Sequence, residues 1–271
     1  MKRLISKGCL SLSLLGLSAC SWVAVLDKKS IVFVPERSGS QSFTLVGDVP
    51  AQFGLGVTAW YGPADDTQLH CQDIDLYSGR LKPRIITKGF DIPITPRANV
   101  QRRQIPLTHY IGECELILGR VELETTGRFG DQSWQEAYNK TNFYLRAQLP
   151  GGEPDFDRNG VRAVNRYCTW LFGESMMRNK ELKKSLSCEG ERTGYLERAN
   201  LSGKFLRLMV ELNPEEAPSS EQSWIKVQEG WKPCTPKAAG GKRCQQPIIF
   251  RTFQMNGQTC TVYPGCTEYH G

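Results

Sequence analysis

Histidine is scarce in this chain: the 271 residues contain only His70, His109 and His270 as ordinary neutral-pH bases. No G-x-S-x-G elbow, H-E-x-x-H pair or P-loop occurs, and "FGESM" lacks the second glycine that a nucleophile elbow needs. His70 precedes Cys71, but a cysteine committed to a disulfide is no nucleophile. His270 lies one residue from the end, where chains fray. Carboxylates are plentiful without being paired by any motif. An enzyme is therefore not expected, nor is a cofactor. Close cysteine pairs of the C-x2-C kind are also missing, which removes the usual zinc spacings. No apolar run reaches the roughly 20 residues that span a bilayer. A large excess of positive charge is absent too. Three of the cations behind the net charge of +6 lie in the first seven residues, so the rest is close to +3, well short of a nucleic-acid binder.

What the chain does have begins with a leader. Lys2, Arg3 and Lys7 form a positive n-region, and Leu10 to Leu17 form a short apolar core, as in a secretory signal peptide. Leu17, Ser18, Ala19 and Cys20 then resemble the lipobox of bacterial lipoproteins. The resemblance implies a diacylglycerol on Cys20, cleavage before it and acylation of the new amino group. Two or three acyl chains make a stable anchor where one is marginal. In that family an aspartate after the cysteine favours the inner membrane; Ser21 points to the outer membrane, periplasmic face. Residues 1–19 are thus expected to be signal peptide and 20–30 the lipidated cysteine and tether.

Of ten cysteines, Cys9 leaves with the signal and Cys20 is lipidated. The remaining eight are Cys71, Cys114, Cys168, Cys188, Cys234, Cys244, Cys260 and Cys266. An even number in an oxidising compartment reads as disulfides. Eight cysteines allow 105 connectivities, of which pairing of sequence neighbours is the simplest. Period-2 alternation marks strands: Phe43 and Leu45, then Leu55, Val57 and Ala59, then Cys114, Leu116 and Leu118, then Phe143, Leu145, Ala147 and Leu149. The expected fold is mainly β, with two disulfide-stabilised antiparallel domains. The first, over 31–150, is sandwich-like; "PGGEPDFDRNG" supplies a linker at 151–160; a cysteine-rich β domain follows over 161–271.

Three groups of side chains are candidates for binding. Asp155, Asp157 and Asn159 with Gly160 match the opening of an EF-hand calcium loop, but its twelfth position is Arg166, which cannot ligate a cation. An Asx-rich turn is the favoured reading of that stretch. Basic residues gather at Arg80, Lys82, Arg84, Lys88 and Arg97, with Arg102 and Arg103 as candidate contacts for an acidic partner or headgroup. Aromatics crowd the tail, where Trp231, Phe253 and Tyr263 are candidate anchors if exposed.

"WIKVQEGWKPC" and "FRTFQMNGQTCTVYPGCTEYHG", with "CTWLF" and "LKKSLSC" before them, resemble the C-terminal part of type VI secretion phospholipase-effector immunity lipoproteins. The likeness covers mainly residues 165–271. It implies a periplasm-facing lipoprotein that binds and neutralises a membrane-active toxin, a phospholipase effector, and touches the membrane through its lipid. No binding residue carries over, because no inhibitory motif is matched. The alternatives are a structural or assembly lipoprotein of the envelope or secretion apparatus, and a periplasmic ligand-binding module.

Overall fold

The computed structural model describes residues 21–27, 30–175, 177, 180–238, 241 and 243–266. Cys20, the expected lipobox around it and His270 lie outside these. The first half of the chain forms β1 (Ser21–Asp27), β2 (Ser30–Ser38), β3 (Ser42–Val49), β4 (Phe53–Pro63), β5 (Gln72–Ile74), β6 (Leu81–Pro83), β7 (Ile86–Gly89), β8 (Asn99–Pro106), β9 (Thr108–Ile111), β10 (Cys114–Arg128) and β11 (Glu136–Arg146). The second half forms β12 (Val161–Glu174), β13 (Leu182–Gly190), β14 (Thr193–Glu197), β15 (Phe205–Leu212) and β16 (Ala217–Pro218). Four short strands complete the tail: β17 (Trp224–Val227), β18 (Gly230–Pro233), β19 (Phe253–Met255) and β20 (Gln258–Cys260).

The protein is mainly β, as its alternation implies. One sheet is built on the long β10. Strand β4 runs along one edge of it and carries β7. The opposite edge pairs first with β9, then with β11. Beyond β9 lie β2 and β1, and beyond β11 lies β14. A bulge between Leu118 and Arg120 resets the pleat of β10. Cys114, Leu116 and Leu118 are buried before it; Val121, Leu123 and Thr125 are buried after it. The bulge lets one strand keep an apolar face inward through a bend. The second sheet runs β13-β12-β15-β3-β8, with β16 beside the end of β12.

The expected division at 151–160 is not a division between domains. Strand β15 pairs in parallel with both β12 and β3, and β14 pairs in parallel with β11. Both sheets therefore cross the 151–160 segment, and one apolar core extends from Phe43 to Val210. The hairpins within each half are antiparallel; the seams between the halves are parallel. Nothing local signals such pairing, because parallel partners are joined only through long connections. The expected tether also differs, since residues 21–27 are paired along β2.

The two sheets touch closely where Trp170 meets Phe53 and Phe129, at ring separations of 5.9 and 5.4 Å. Gly127 is required there, since a Cβ would lie 2.8 Å from both the Phe53 and the Trp170 rings. The tail has a smaller core of Trp224, Phe253, Cys260 and Tyr263, closed by Phe172 and Leu182 from β12 and β13. It is thus docked on the sandwich and shares its side chains. Four disulfides join sequence neighbours: Cys71–Cys114, Cys168–Cys188, Cys234–Cys244 and Cys260–Cys266.

Candidate functional site

The tail meets the sandwich in a set of polar locks. Arg251 donates to both carboxylate oxygens of Glu174 at the end of β12, and its Nε donates to the Cys234 carbonyl at 2.8 Å. Glu216 accepts from Lys184 Nζ at 2.6 Å and from the Tyr263 hydroxyl. Burial, with this carboxylate alongside, pushes the Tyr263 hydroxyl far above its ordinary pKa, so it stays a donor. The Asn256 N–H donates to Glu181 at 2.8 Å. These contacts fix the tail as a rigid knob at the C-terminal ends of β12 and β10.

Two concavities open on this knob. A groove of about 340 Å³ is walled by Trp231, Lys226, Pro218, Glu215 and Glu221. Trp231 packs its inner side on Phe172 at 6.1 Å, and Lys226 Nζ sits 5.7 Å from its ring centroid. Trp231 is half-buried and forms part of the groove wall. A wider cavity of about 680 Å³ lies between the 129–135 loop, with Trp134 and Gln135, and the Asn256–Gly257 turn.

The other two aromatic candidates are not available. Phe253 and Tyr263 are 1% and 4% exposed. They form the tail core because a module this small needs its largest apolar groups inside. The arginine alternative divides likewise: Arg102 is exposed on β8, whereas Arg103 is partly buried and donates to the Asp91 carbonyl and Gln101 Oε1. Much of the basic run is neutralised in place. Lys82 pairs with Asp75, the buried Arg84 with Asp73, and Lys88 with Glu36.

The Asp155 stretch is a turn in which one oxygen of each aspartate accepts from the backbone. Asp157 Oδ1 accepts from the N–H groups of Asn159 and Val161 at 2.9 and 2.8 Å, and Asp155 Oδ1 accepts from Phe156 at 2.7 Å. Among the described residues no group of three or more His, Cys, Asp or Glu side chains is placed to hold a metal ion.

His70 is exposed beside the Cys71–Cys114 bridge. His109 is buried, with its ring edge-on to Tyr61 at 4.5 Å. Ser38 Oγ and Glu36 Oε1 both stand 3.5 Å from the same nitrogen, Nδ1, while Nε2 is buried without a hydrogen-bond partner. A base that activates a hydroxyl needs its orienting carboxylate on the opposite ring nitrogen. This arrangement is not that of a relay. Burial holds the imidazole below its ordinary pKa, against the pull of Glu36 and with that of Lys88.

Two arginines escape a motif-based reading. Arg162 and Arg166 lie on the inward face of β12, each 2% exposed. Arg166 donates to the carbonyls of Glu191 and Cys188 at 2.5 and 3.0 Å and to Asn139 Oδ1 at 2.5 Å. Arg162 donates to the Tyr195 carbonyl and to Glu191 Oε1 at 2.5 Å. They bridge the two sheets. Burial raises the Glu191 pKa, against the lowering effect of Arg162. The signal was present in "VRAVNRYCTWLF": both arginines fall in phase with Val164, Cys168, Trp170 and Phe172. Arg166, which spoils the calcium pattern, is there to close the sandwich. Protein-family models, curated proteins and solved structures yield no match to this chain.

Proposed function

We propose that the protein is a periplasm-facing lipoprotein of the outer membrane that binds and neutralises a membrane-active toxin, a type VI secretion phospholipase effector, as an immunity protein. The observation that carries the reading is the rigid tail. The stretch that resembles immunity lipoproteins supplies a knob stapled by two disulfides, with an open groove walled by Trp231. A preformed surface loses little conformational freedom on binding, which favours tight inhibition. The groove is an anchor point within a larger contact, since a standard interface buries about 800 Å² on each partner. A tether on Cys20 raises the inhibitor's effective concentration at the bilayer where a lipase must act. Inhibition then needs no chemistry of its own: covering the mouth of the lipase suffices.

The test is a gene deletion challenged by siblings that deliver the effector, together with binding of the purified proteins. Sensitivity that is reversed by the wild-type gene supports immunity. A deletion strain that survives as its parent does, with no binding, leaves an envelope-assembly lipoprotein in its place. The anchor is tested separately: Cys20→Ala abolishes incorporation of labelled palmitate, and labelling that persists refutes it.

A further inference from the structure

Between β4 and β7 the chain leaves the sheet, and exposed apolar groups concentrate in this excursion. Leu69, Leu76, Tyr77, Leu81 and Ile85 all stand in solvent, with Leu76 at 81% and Tyr77 at 102% exposure. Scattered surface apolar groups need no explanation, but five within 17 residues, two of them at one tip, do. The tip is held rigidly. Asp75 Oδ1 accepts from the N–H groups of Tyr77 and Ser78 at 3.0 and 2.9 Å. Gly79, at φ +68°, turns its N–H back onto the Asp75 carbonyl at 2.7 Å. Below the tip, β5 and β6 pair, Arg84 is tied to Asp73 at 2.9 Å, and Cys71 is bonded to Cys114. Leu76 and Tyr77 are thus presented at the end of a braced arm.

The strand register places this arm. Ser21, the residue after the lipobox cysteine, is opposite Glu36; Glu36 is opposite Ile111; Ile111 is opposite Cys114; and Cys114 is bonded to Cys71 at the base of the arm. The curl of the sheet also brings β1 beside β5. The arm and the point where the chain enters the fold therefore share one end of the sandwich. The tail groove lies toward the other end, past the C-terminal end of β10, a strand of 15 residues and so roughly 45–50 Å long.

We infer that the 64–85 arm is a second membrane contact, which seats Leu76 and Tyr77 in the boundary between headgroups and acyl chains and stands the protein end-on with its tail groove facing away from the bilayer. The inference rests on the lipoprotein reading, which puts a bilayer at the Ser21 end. Leucine with tyrosine is the composition that suits this boundary, where one side of a group is apolar and the other wet. Of the cations of the arm and its base, Lys82, Arg84 and Lys88 are paired with carboxylates, while Arg80 stands exposed beside the tip, where it suits a headgroup phosphate. A tethered body needs only weak insertion to be oriented, because the anchor makes the second contact intramolecular.

The test uses the full chain in cells, with Tyr77 replaced by the photoreactive p-benzoylphenylalanine. The same replacement at Tyr138, exposed on β11 toward the far end, serves as control. Palmitate incorporation is scored on the same samples. The expected result is a phospholipid adduct at position 77 with a yield roughly tenfold above that at 138. A protein adduct at 77, or equal lipid yields at the two positions, in palmitate-labelled protein overturns the arm contact and leaves the anchor standing. A lipid adduct without palmitate sinks the anchor and keeps the arm. Neither signal overturns both.

Discussion

Replacing Arg166 with alanine removes three donated hydrogen bonds, one of which, to Asn139 on β11, crosses to the other sheet. Their acceptors are the Glu191 and Cys188 carbonyls and Asn139 Oδ1. An acceptor left without a donor in a dry interior costs about 1–3 kcal/mol, and bonds to a charged donor lie at the upper end. Some of the vacated space would admit water, so the expected loss is about 3–5 kcal/mol, the scale for breaking a buried charge network. Against a total stability of about 5–15 kcal/mol, that is a large fraction. Arg166→Met should be nearly as damaging. Two of the acceptors are main-chain carbonyls, which no second substitution can remove, so an apolar isostere gives no relief. Urea unfolding with disulfides intact, followed by tryptophan fluorescence, reads the effect. With a slope of about 3 kcal/mol per molar, the midpoint should fall by about 1–1.7 M. Arg102→Ala on the exposed face of β8 should stay within about 0.5 kcal/mol of wild type. An Arg166→Ala midpoint within about 0.3 M of wild type would refute the assignment of Arg166 as the bridge between sheets.

Phe253→Ala should cost about 3–5 kcal/mol of stability, because the ring is buried in the tail core. Trp231→Ala should leave the fold largely intact and, under the proposed immunity role, weaken toxin binding by about 2 kcal/mol or more, measured by calorimetry. His109 carries a pH dependence whose sign is set by burial. Its folded pKa lies below 6.5, so below that pH the unfolded chain binds a proton that the folded one refuses, and stability falls on acidification. His109→Gln should flatten that fall, read as the difference between variant and wild-type urea midpoints at pH 7.5 and 5.5. Glu191 acts oppositely, since its raised pKa makes the folded chain take up a proton first and gain stability as pH drops. Among the disulfides, loop entropy ranks Cys71–Cys114, which closes 43 residues, at about 4 kcal/mol and Cys260–Cys266, which closes 6, at about 2 kcal/mol. Pairwise Cys→Ser variants in thermal melts should follow that order.

The β class was legible because alternation is local. Leu55, Val57 and Ala59 face one way in any strand pairing, and here all three are buried. The disulfide partners were legible for a related reason: neighbouring cysteines in a meander of short strands meet across one hairpin or loop, as Cys168 and Cys188 do opposite each other in β12 and β13. The role of a residue within an alternating strand was only half legible. The pattern placed Arg162 and Arg166 on the apolar face, but the acceptors that make this tolerable come from β11, β14 and the turn before β14.

What the sequence by itself determined is period and composition: which segments extend, which face of each is apolar and which cysteines are available. Tertiary structure alone decided how many bodies those segments make. Parallel seams between β3, β15 and β12, and between β11 and β14, join residues more than a hundred positions apart in one case and about fifty in others. A polar, glycine-rich stretch such as 151–160 looks the same whether it links two domains or returns the chain to one sandwich, since solvent exposure selects its composition in both. The same holds for Phe253 and Leu76. Each is a large apolar side chain in a short strand or turn, yet the first is enclosed by Phe172 and Trp224 while the second stands free on a braced arm. Hydrophobicity states the cost of exposing such a group, and only the packing of distant strands decides which of them is left to meet a partner.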